Sequence, residues 1–121
     1  MTTLTEDRHA GEHVISEANG TRSRDVVTLA SGQNLAAGAV LGRITASGKH
    51  VLLAPAANDG SEVACAVLFA PVNAGAADKA AVVNARDTEV QGACLTWPAG
   101  IDAGDKAGAT AELKALGIVI R

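Results

Sequence analysis

Aromatic side chains are almost absent from this sequence. Its 121 residues include one Trp, one Phe and no Tyr, although 48% of the residues are hydrophobic. The core must therefore be built from Ala, Val, Leu and Ile, whose small side chains let neighbouring elements pack closely. Thirteen glycines and three prolines favour many turns and short strands over long helices. Together these features predict one compact domain with a modest core.

The sequence also lacks clustered positive charge and long apolar runs. Its formal net charge is −3, and no group of Lys and Arg residues forms a basic patch. This argues against a nucleic-acid partner. No apolar run approaches the roughly 18–20 residues that cross a bilayer, so no membrane partner is expected. Residues 1–26 are polar and of mixed charge, unlike a signal peptide, so the protein is expected to stay in the cytoplasm or wherever it is assembled.

Two cysteines, Cys65 and Cys94, lie in apolar, strand-like surroundings. We expect two reduced thiols that pack as small hydrophobic side chains. A disulfide would form only if the two strands were neighbours, and the absence of a secretory signal argues against it. No further Cys or His lies nearby to complete a metal site.

Catalytic and cofactor-binding motifs are missing as well. The sequence contains no G-x-S-x-G elbow, P-loop or dinucleotide fingerprint. His9 and His13 are four residues apart, but the glycine between them disfavours the helix that would align them on one face. We interpret both as solvated side chains and His50 as a surface residue. The sequence therefore predicts no enzyme, no catalytic residue, no metal, no cofactor and no small-molecule substrate.

The C-terminal third carries the clearest secondary-structure signals. Residues 89–95 are predicted as a strand that ends at a corner formed by Trp97 and Pro98, because proline cannot donate to a ladder. Trp97 is the largest side chain and is expected to anchor the core or a subunit interface.

A helix is predicted after this corner. Asp102 is a favourable N-cap, and Asp105 suits the first turn. Ala109, Leu113 and Leu116 follow at spacings that place them on one face. Gly117 suits the left-handed position that ends a helix, and a final buried strand is predicted at 118–120.

Short strands fill the rest of the domain. Turn signals separate them, including a glycine-containing hairpin loop at 46–49, a turn at 34–38 and an irregular segment at 71–78. The continuous apolar run at 63–69 predicts a strand that is buried on both faces. The sum is a β-rich α+β fold of about seven strands and one C-terminal helix. The predicted strands before residue 89 are 26–29, 40–45, 51–54, 63–69 and 80–85.

Residues 1–25 differ from the remainder and are predicted to be a flexible N-terminal arm before a domain at 26–121. The arm is charged and too poor in apolar residues to offset its ordering entropy. Val14, Ile15 and Ser16 nevertheless have strand propensity, and Asn19-Gly20 is a turn signal. Such an arm is expected to fold onto a partner, although a frayed terminus without a role is the alternative.

The whole chain resembles the head decoration proteins of tailed bacteriophages, the family that includes the phage lambda decoration protein. The resemblance lies in SEANGTRSRD (16–25), LASGQNLAAGAVLGRITASGK (29–49), LAPAANDGSEVA (53–64), TEVQGACLTWPAGI (88–101) and the closing GIVIR. No single motif is specific, but their order and spacing together carry the assignment.

The resemblance implies a structural role on the virion. Such proteins bind as homotrimers to the outside of the expanded capsid, at threefold and quasi-threefold sites, and cement the major capsid protein. The host cytoplasm would be their location during assembly. The arm, disordered in the free protein, would become ordered on the capsid. Its expected binding residues are Val14, Ile15, Ser16, Glu17, Asn19, Gly20, Arg22 and Arg24.

Two other functions remain open at this point. Asp78-Lys79-Ala80 looks like the tripeptide around the modified lysine of lipoyl carrier domains, which are also small, β-rich and mildly acidic. However, GAADKAAVV lacks the alternating apolar strand that should lead into that turn. A generic protein-interaction module is the second alternative.

Overall fold

The computed structural model describes residues 9–20 and 22–121. These residues contain ten strands, one α-helix and one short 3-10 helix. The fold is therefore β-rich with a C-terminal helix, as predicted, and has more strands than expected. The strands are β1 (Val14–Glu17), β2 (Arg24–Leu29), β3 (Gln33–Leu35), β4 (Val40–Arg43), β5 (His50–Leu52), β6 (Ala64–Leu68), β7 (Val72–Ala74), β8 (Lys79–Asn84), β9 (Thr88–Val90) and β10 (Ile118–Ile120).

Five strands close into a small barrel in the order β2-β5-β4-β6-β8. The longest pairing joins β2 and β8 antiparallel, from Arg24 opposite Asn84 to Leu29 opposite Lys79. Strands β4 and β5 form the hairpin that the loop at 46–49 predicted. Closure leaves these strands without free edges, which removes sites of uncontrolled strand pairing.

The core is built from small aliphatic side chains, as the composition predicted. One cluster comes from the barrel strands and includes Leu29, Leu41 and Leu68, none of which has exposed surface. Strand β6 is buried along nearly its whole length, as the run at 63–69 indicated. A second cluster joins Val40 and Val67 to the C-terminal helix and to β9 and β10.

The helix α1 (Ala103–Ala115) begins where the sequence predicted. The carboxylate of Asp102 accepts a hydrogen bond from the backbone N–H of Asp105 at 2.7 Å. Ala109 and Leu113 are buried, but Leu116 is 44% exposed, contrary to expectation. Leu116 is the C-cap, where the chain leaves the helix, so helical spacing no longer sets its direction. Gly117 has a φ of +89° and ends the helix as expected.

Three segments differ from their predicted conformation. Strand β9 ends at Val90, and a 3-10 helix (Gly92–Cys94) replaces the predicted continuation to residue 95. The segments at 34–38 and 71–78 were predicted as a turn and as irregular, yet they contribute to β3 and β7. Within the described ranges these strands pair only with each other, from Gln33 opposite Ala74 to Leu35 opposite Val72. Pairing between segments so far apart leaves no local signal.

Two side-chain predictions are resolved by burial. His50 was expected at the surface but is only 8% exposed, and burial lowers its pKa. Cys65 and Cys94 are reduced, as expected, and burial raises the pKa of Cys65 to about 11. No helix in the described ranges has the length and apolar character needed to cross a bilayer.

Candidate functional site

Strand β1, in the predicted arm, belongs to a three-stranded sheet of the order β1-β9-β10. It pairs antiparallel with β9, from Val14 opposite Val90 to Glu17 opposite Thr88. The backbone N–H of Gln91 donates to the carbonyl of His13 at 2.8 Å just beyond the ladder. We expected this strand to require an edge from another protein, whereas the chain supplies one edge itself.

The other edge of β1 has no strand partner among residues 9–20 and 22–121. A register shift between Val14 and Ser16 makes the strand irregular at Ile15. Such irregularities redirect side chains, and Ile15 is 52% exposed. Ser16 is fixed by its hydroxyl, which donates to the carboxylate of Glu89 at 2.7 Å. An open strand edge and an exposed apolar side chain therefore lie side by side.

A partly buried polar cluster, here called the clasp, fastens β1 to the barrel. It consists of His13, Glu17, Ser23, Arg24 and Asn84. The Nε2 atom of His13 lies 2.8 Å from Oδ1 of Asn84, and the amide nitrogen of Asn84 donates to Glu17 at 3.3 Å. Glu17 also accepts from the hydroxyl of Ser23 at 2.7 Å and pairs with the guanidinium of Arg24 through two hydrogen bonds. The clasp therefore links β1 to β2 and β8.

Phe69 closes one side of the clasp. The guanidinium carbon of Arg24 lies 3.9 Å from the centre of its ring, a cation–π contact, and the ring of His13 meets it edge-on at 6.3 Å. The backbone N–H of Gly11 donates to the Phe69 carbonyl at 2.9 Å. Gly11 has a φ of +72°, and a Cβ there would lie 3.1 Å from the ring, so this approach favours glycine.

Charge in the clasp is set by burial and by pairing. His13 is 1% exposed, contrary to the expected solvated side chain, and burial lowers its pKa. The hydrogen bond to Asn84 and the carboxylates of Glu17 and Glu12 act in the opposite direction but are weaker. The pKa of Glu17 is lowered, chiefly by its hydrogen bond from Arg24. The clasp therefore combines a neutral histidine with an ionised glutamate.

The remaining arm residues lie between β1 and β2. Asn19 and Gly20 are exposed, and Gly20 has a φ of +69°, which agrees with a turn at this point. Thr21 lies outside the described residues, as do residues 1–8 of the predicted arm. Arg22 pairs loosely with Asp87 at 3.6 Å on the surface. We expected Arg22 and Arg24 to be available to a partner, yet each has an acidic partner in this chain.

The predicted corner packs against the second core cluster. Trp97 is half-buried against that cluster, and the ammonium of Lys106 lies 5.3 Å from the centre of its ring. The backbone of Thr96 exchanges hydrogen bonds with Gly38 and Val40, which fixes the chain before Pro98. Trp97 and Pro98 therefore lie within the domain framework, between the barrel and α1.

Sequence reasoning missed the residues that hold β1 in place. His13 was interpreted as solvated, and Asn84 and Phe69 were not identified as functional. A weak signal was available, because Asn84 is a polar residue at the end of an apolar run that starts at residue 80. It is fully buried, and a buried amide requires hydrogen-bond partners.

The structure also shows how the candidate metal-ligating residues and Lys79 are arranged. Within the described part of the chain, no three His, Cys, Asp or Glu residues are grouped so that they could hold a metal ion. Lys79 is the first residue of β8 and pairs with Leu29 in the barrel. The preceding strand, β7, pairs with β3 instead of β8, so no hairpin surrounds Lys79.

These features define a class before any comparison: a small β-barrel domain with a separate three-stranded sheet, in which the edge strand β1 carries an exposed apolar side chain. Residues 3–118 match the sequence model of one protein family, bacteriophage lambda head decoration protein D. The match covers nearly the whole chain, so the protein belongs to this family of phage head decoration proteins. No curated protein sequence matches the chain.

Proposed function

We propose that this protein binds as a homotrimer to the outside of the expanded phage capsid, at threefold and quasi-threefold sites, and cements neighbouring copies of the major capsid protein. Family membership supports the association with the head and a structural role. The observation that carries the finer proposal is the open edge of β1 beside the exposed Ile15.

Strand addition is the proposed binding mode. An unpaired strand edge presents N–H and C=O groups that an extended segment of the capsid protein would satisfy. Because one edge of β1 is already paired with β9, β1 is held in an extended conformation to which a further strand could be added. Ile15 would add apolar contact area, and Arg22 would exchange its loose pairing with Asp87 for acidic groups of the capsid. We retain residues 1–25 as the proposed capsid-binding arm and 26–121 as the proposed decoration domain.

Trimerisation is supported by exposed apolar side chains outside β1. Val26 is 72% exposed on the barrel, Val63 is 45% exposed and Leu116 is 44% exposed at the end of α1. A domain of this size gains stability by burying such surface against copies of itself. A trimer would also present three β1 edges on one base, and multivalency raises affinity by about 10²–10⁴ when geometry permits simultaneous binding.

The test is decoration of purified capsids. Expanded and unexpanded capsids built from the major capsid protein of the same phage are mixed with the protein, separated from free protein and imaged. We expect trimeric density on the outside of expanded capsids only. Light scattering of the free protein measures whether the trimer forms before binding. A monomer both in solution and on the capsid would reject the trimer, and equal binding to both capsid forms would reject specificity for the expanded form.

The two other candidate functions are tested separately. A carrier protein would gain mass at Lys79 after expression in a lipoylating host, and intact mass spectrometry measures this. A generic interaction module would bind protein partners but show no preference for capsids. Neither has a supporting observation comparable to the family match.

A further inference from the structure

We propose that the clasp is a proton-sensitive latch: neutral His13 holds β1 in the sheet of the free protein, and protonation of His13 releases the strand. The latch itself is a property of the isolated chain. Only its consequence, that acidification withdraws the capsid-binding edge, rests on the proposed function.

The hydrogen bonds of His13 explain why protonation would release β1 and the neutral ring would hold it. Its Nε2 atom donates to the Asn84 oxygen at 2.8 Å, so the neutral ring carries its proton on Nε2. Its Nδ1 atom is buried and has no hydrogen-bond partner within the described residues. Protonation would place an N–H and a positive charge at this atom, where the described part of the chain offers no acceptor. The charged ring therefore gains an acceptor for its Nδ1 proton and solvation of its charge only after β1 moves away and water reaches it.

The groups around His13 do not remove this penalty. Glu12 and Glu17 face it from its own segment and favour the charged form, but burial has the larger effect on its pKa. From β8 it meets the Asn84 amide, and from the segment after β6 it meets the edge of the Phe69 ring. An amide oxygen that already accepts the Nε2 proton does not provide an acceptor for Nδ1.

The remaining charges of the clasp are already paired. The carboxylate of Glu17 accepts hydrogen bonds from Ser23, Arg24 and Asn84. The guanidinium of Arg24 lies over Phe69, on the β2 side of the clasp. Moving Glu17 toward the His13 ring would break these contacts. Its carboxylate is therefore held in place and does not become an acceptor for the protonated Nδ1 atom of His13.

The same contacts explain why release would be local. His13 and Glu17 bracket β1, whereas their partners Asn84 and Arg24 belong to the barrel, where β2 and β8 pair along their whole length. Opening the clasp therefore separates β1 from β9 and leaves the barrel ladder intact. This predicts a movement of one strand rather than unfolding of the domain.

Hydrogen exchange of the full-length free protein tests the latch. Protection factors, corrected for intrinsic exchange, are compared between about pH 7.5 and about pH 5.5 for residues 12–18 and for the β2–β8 ladder. One histidine that titrates near its ordinary pKa of about 6.5 only after release lowers protection by about tenfold over this interval. We expect this loss in β1 and little change in β2 and β8.

Variants assign the effect to His13. His13→Gln keeps an N–H donor for Asn84 but cannot titrate, so the pH dependence of β1 protection should disappear. His9→Gln removes an exposed histidine nearby, and His50→Gln removes the other buried one; both should retain the tenfold change. Unchanged β1 protection in the wild-type protein, parallel loss in the barrel ladder, or an undiminished pH effect in His13→Gln would overturn the proposal. If His13→Gln fails to fold, the pH dependence of protection in wild-type β1, compared with that in the β2–β8 ladder, still tests the proposal. No capsid is used, so failure of the latch and failure of capsid binding are distinguishable.

Discussion

His13 and Asn84 meet through a 2.8 Å hydrogen bond although 71 residues separate them. Both side chains are almost completely buried, at 1% and 0% exposure. This contact joins the segment before β1 to the last residue of β8, and so makes β1 part of the folded protein. The properties of β1 therefore depend on a buried polar contact as well as on the sequence of the strand itself.

Removing Asn84 should destabilise the protein. Asn84→Ala removes the side-chain hydrogen-bond partner of the buried His13 ring and one of the donors to Glu17, which keeps its bonds from Ser23 and Arg24. An unsatisfied buried polar group costs about 1–3 kcal/mol. Denaturant unfolding should show a midpoint reduced accordingly. Asn34→Ala, at an exposed position in β3, is the matched control and should change the free energy of unfolding by less than about 0.5 kcal/mol. Equal effects of the two substitutions would contradict a structural role for the clasp.

The stabilising contribution of Glu17 should disappear in acid. Its folded pKa lies below the ordinary value of 4.5 because Arg24 donates to its carboxylate. The contribution is therefore complete above about pH 4.5 and is lost as the pH falls through the folded pKa. Glu17→Gln should be less stable than the wild-type protein at neutral pH, and the gap should narrow below about pH 4.5. Thermal melts of both proteins at several pH values measure this, and a constant gap would contradict it.

Truncating Trp97 should weaken the domain, since the ring packs against the second core cluster. Replacing a fully buried Trp by Ala typically costs about 3–5 kcal/mol, and a half-buried ring should cost less than the upper end of that range. Trp97→Phe retains most of the apolar contact and is the conservative control. Denaturant unfolding of both variants provides the comparison. A Trp97→Ala protein with an unchanged melting temperature and oligomeric state would show that the corner is not an anchor.

Two glycine substitutions should change the stability of the protein in opposite directions. A Cβ at Gly42 would lie 2.2 Å from the carbonyl oxygen of Ser61, so Gly42→Ala must displace backbone and should reduce stability strongly. Gly108 lies in α1 with nothing within 4 Å of the Cβ position, so Gly108→Ala should stabilise by about 0.5–1 kcal/mol. Melting temperatures of the two variants test the close approach of β4 to the loop at Ser61.

Placing a charge at Ile15 should reduce capsid binding without unfolding the protein. Ile15 is 52% exposed, so Ile15→Asp removes apolar contact area from the proposed interface while the clasp remains intact. Val26→Asp makes the same chemical change at a more exposed valine of the barrel. We expect Ile15→Asp to lower occupancy on expanded capsids and Val26→Asp to affect occupancy only through the oligomeric state. If Ile15→Asp bound expanded capsids with wild-type occupancy, the binding surface would have to lie outside β1.

Deleting residues 1–20 would be a less selective test of the predicted arm than the Ile15 substitution. The deletion removes β1 and so uncovers the edge of β9, while Arg24 and Asn84 lose their partners. Lost capsid binding would then have two explanations, a missing binding strand or a damaged domain. The Ile15 substitution avoids this ambiguity because the clasp is unchanged.

The sequence by itself determined the features that depend on neighbouring residues. Asp102 caps α1 and Gly117 ends it because capping and left-handed backbone are local requirements. The apolar run at 63–69 identified the central buried strand, and the scarcity of aromatics fixed an aliphatic core. The order of short motifs indicated the family that the profile match confirmed.

Only the tertiary structure decided where the edges and buried polar groups lie. Strands β3 and β7 are short and pair across the chain, and β1 finds its partner in β9, so their stability comes from long-range ladders that leave little local pattern. His13 was predicted to be solvated because it lies in a charged segment that was interpreted as a flexible arm, but Asn84 and Phe69 come from distant segments to bury it. Burial is a property of the assembled chain, and for this reason the clasp became visible only when β1, β2 and β8 were placed together.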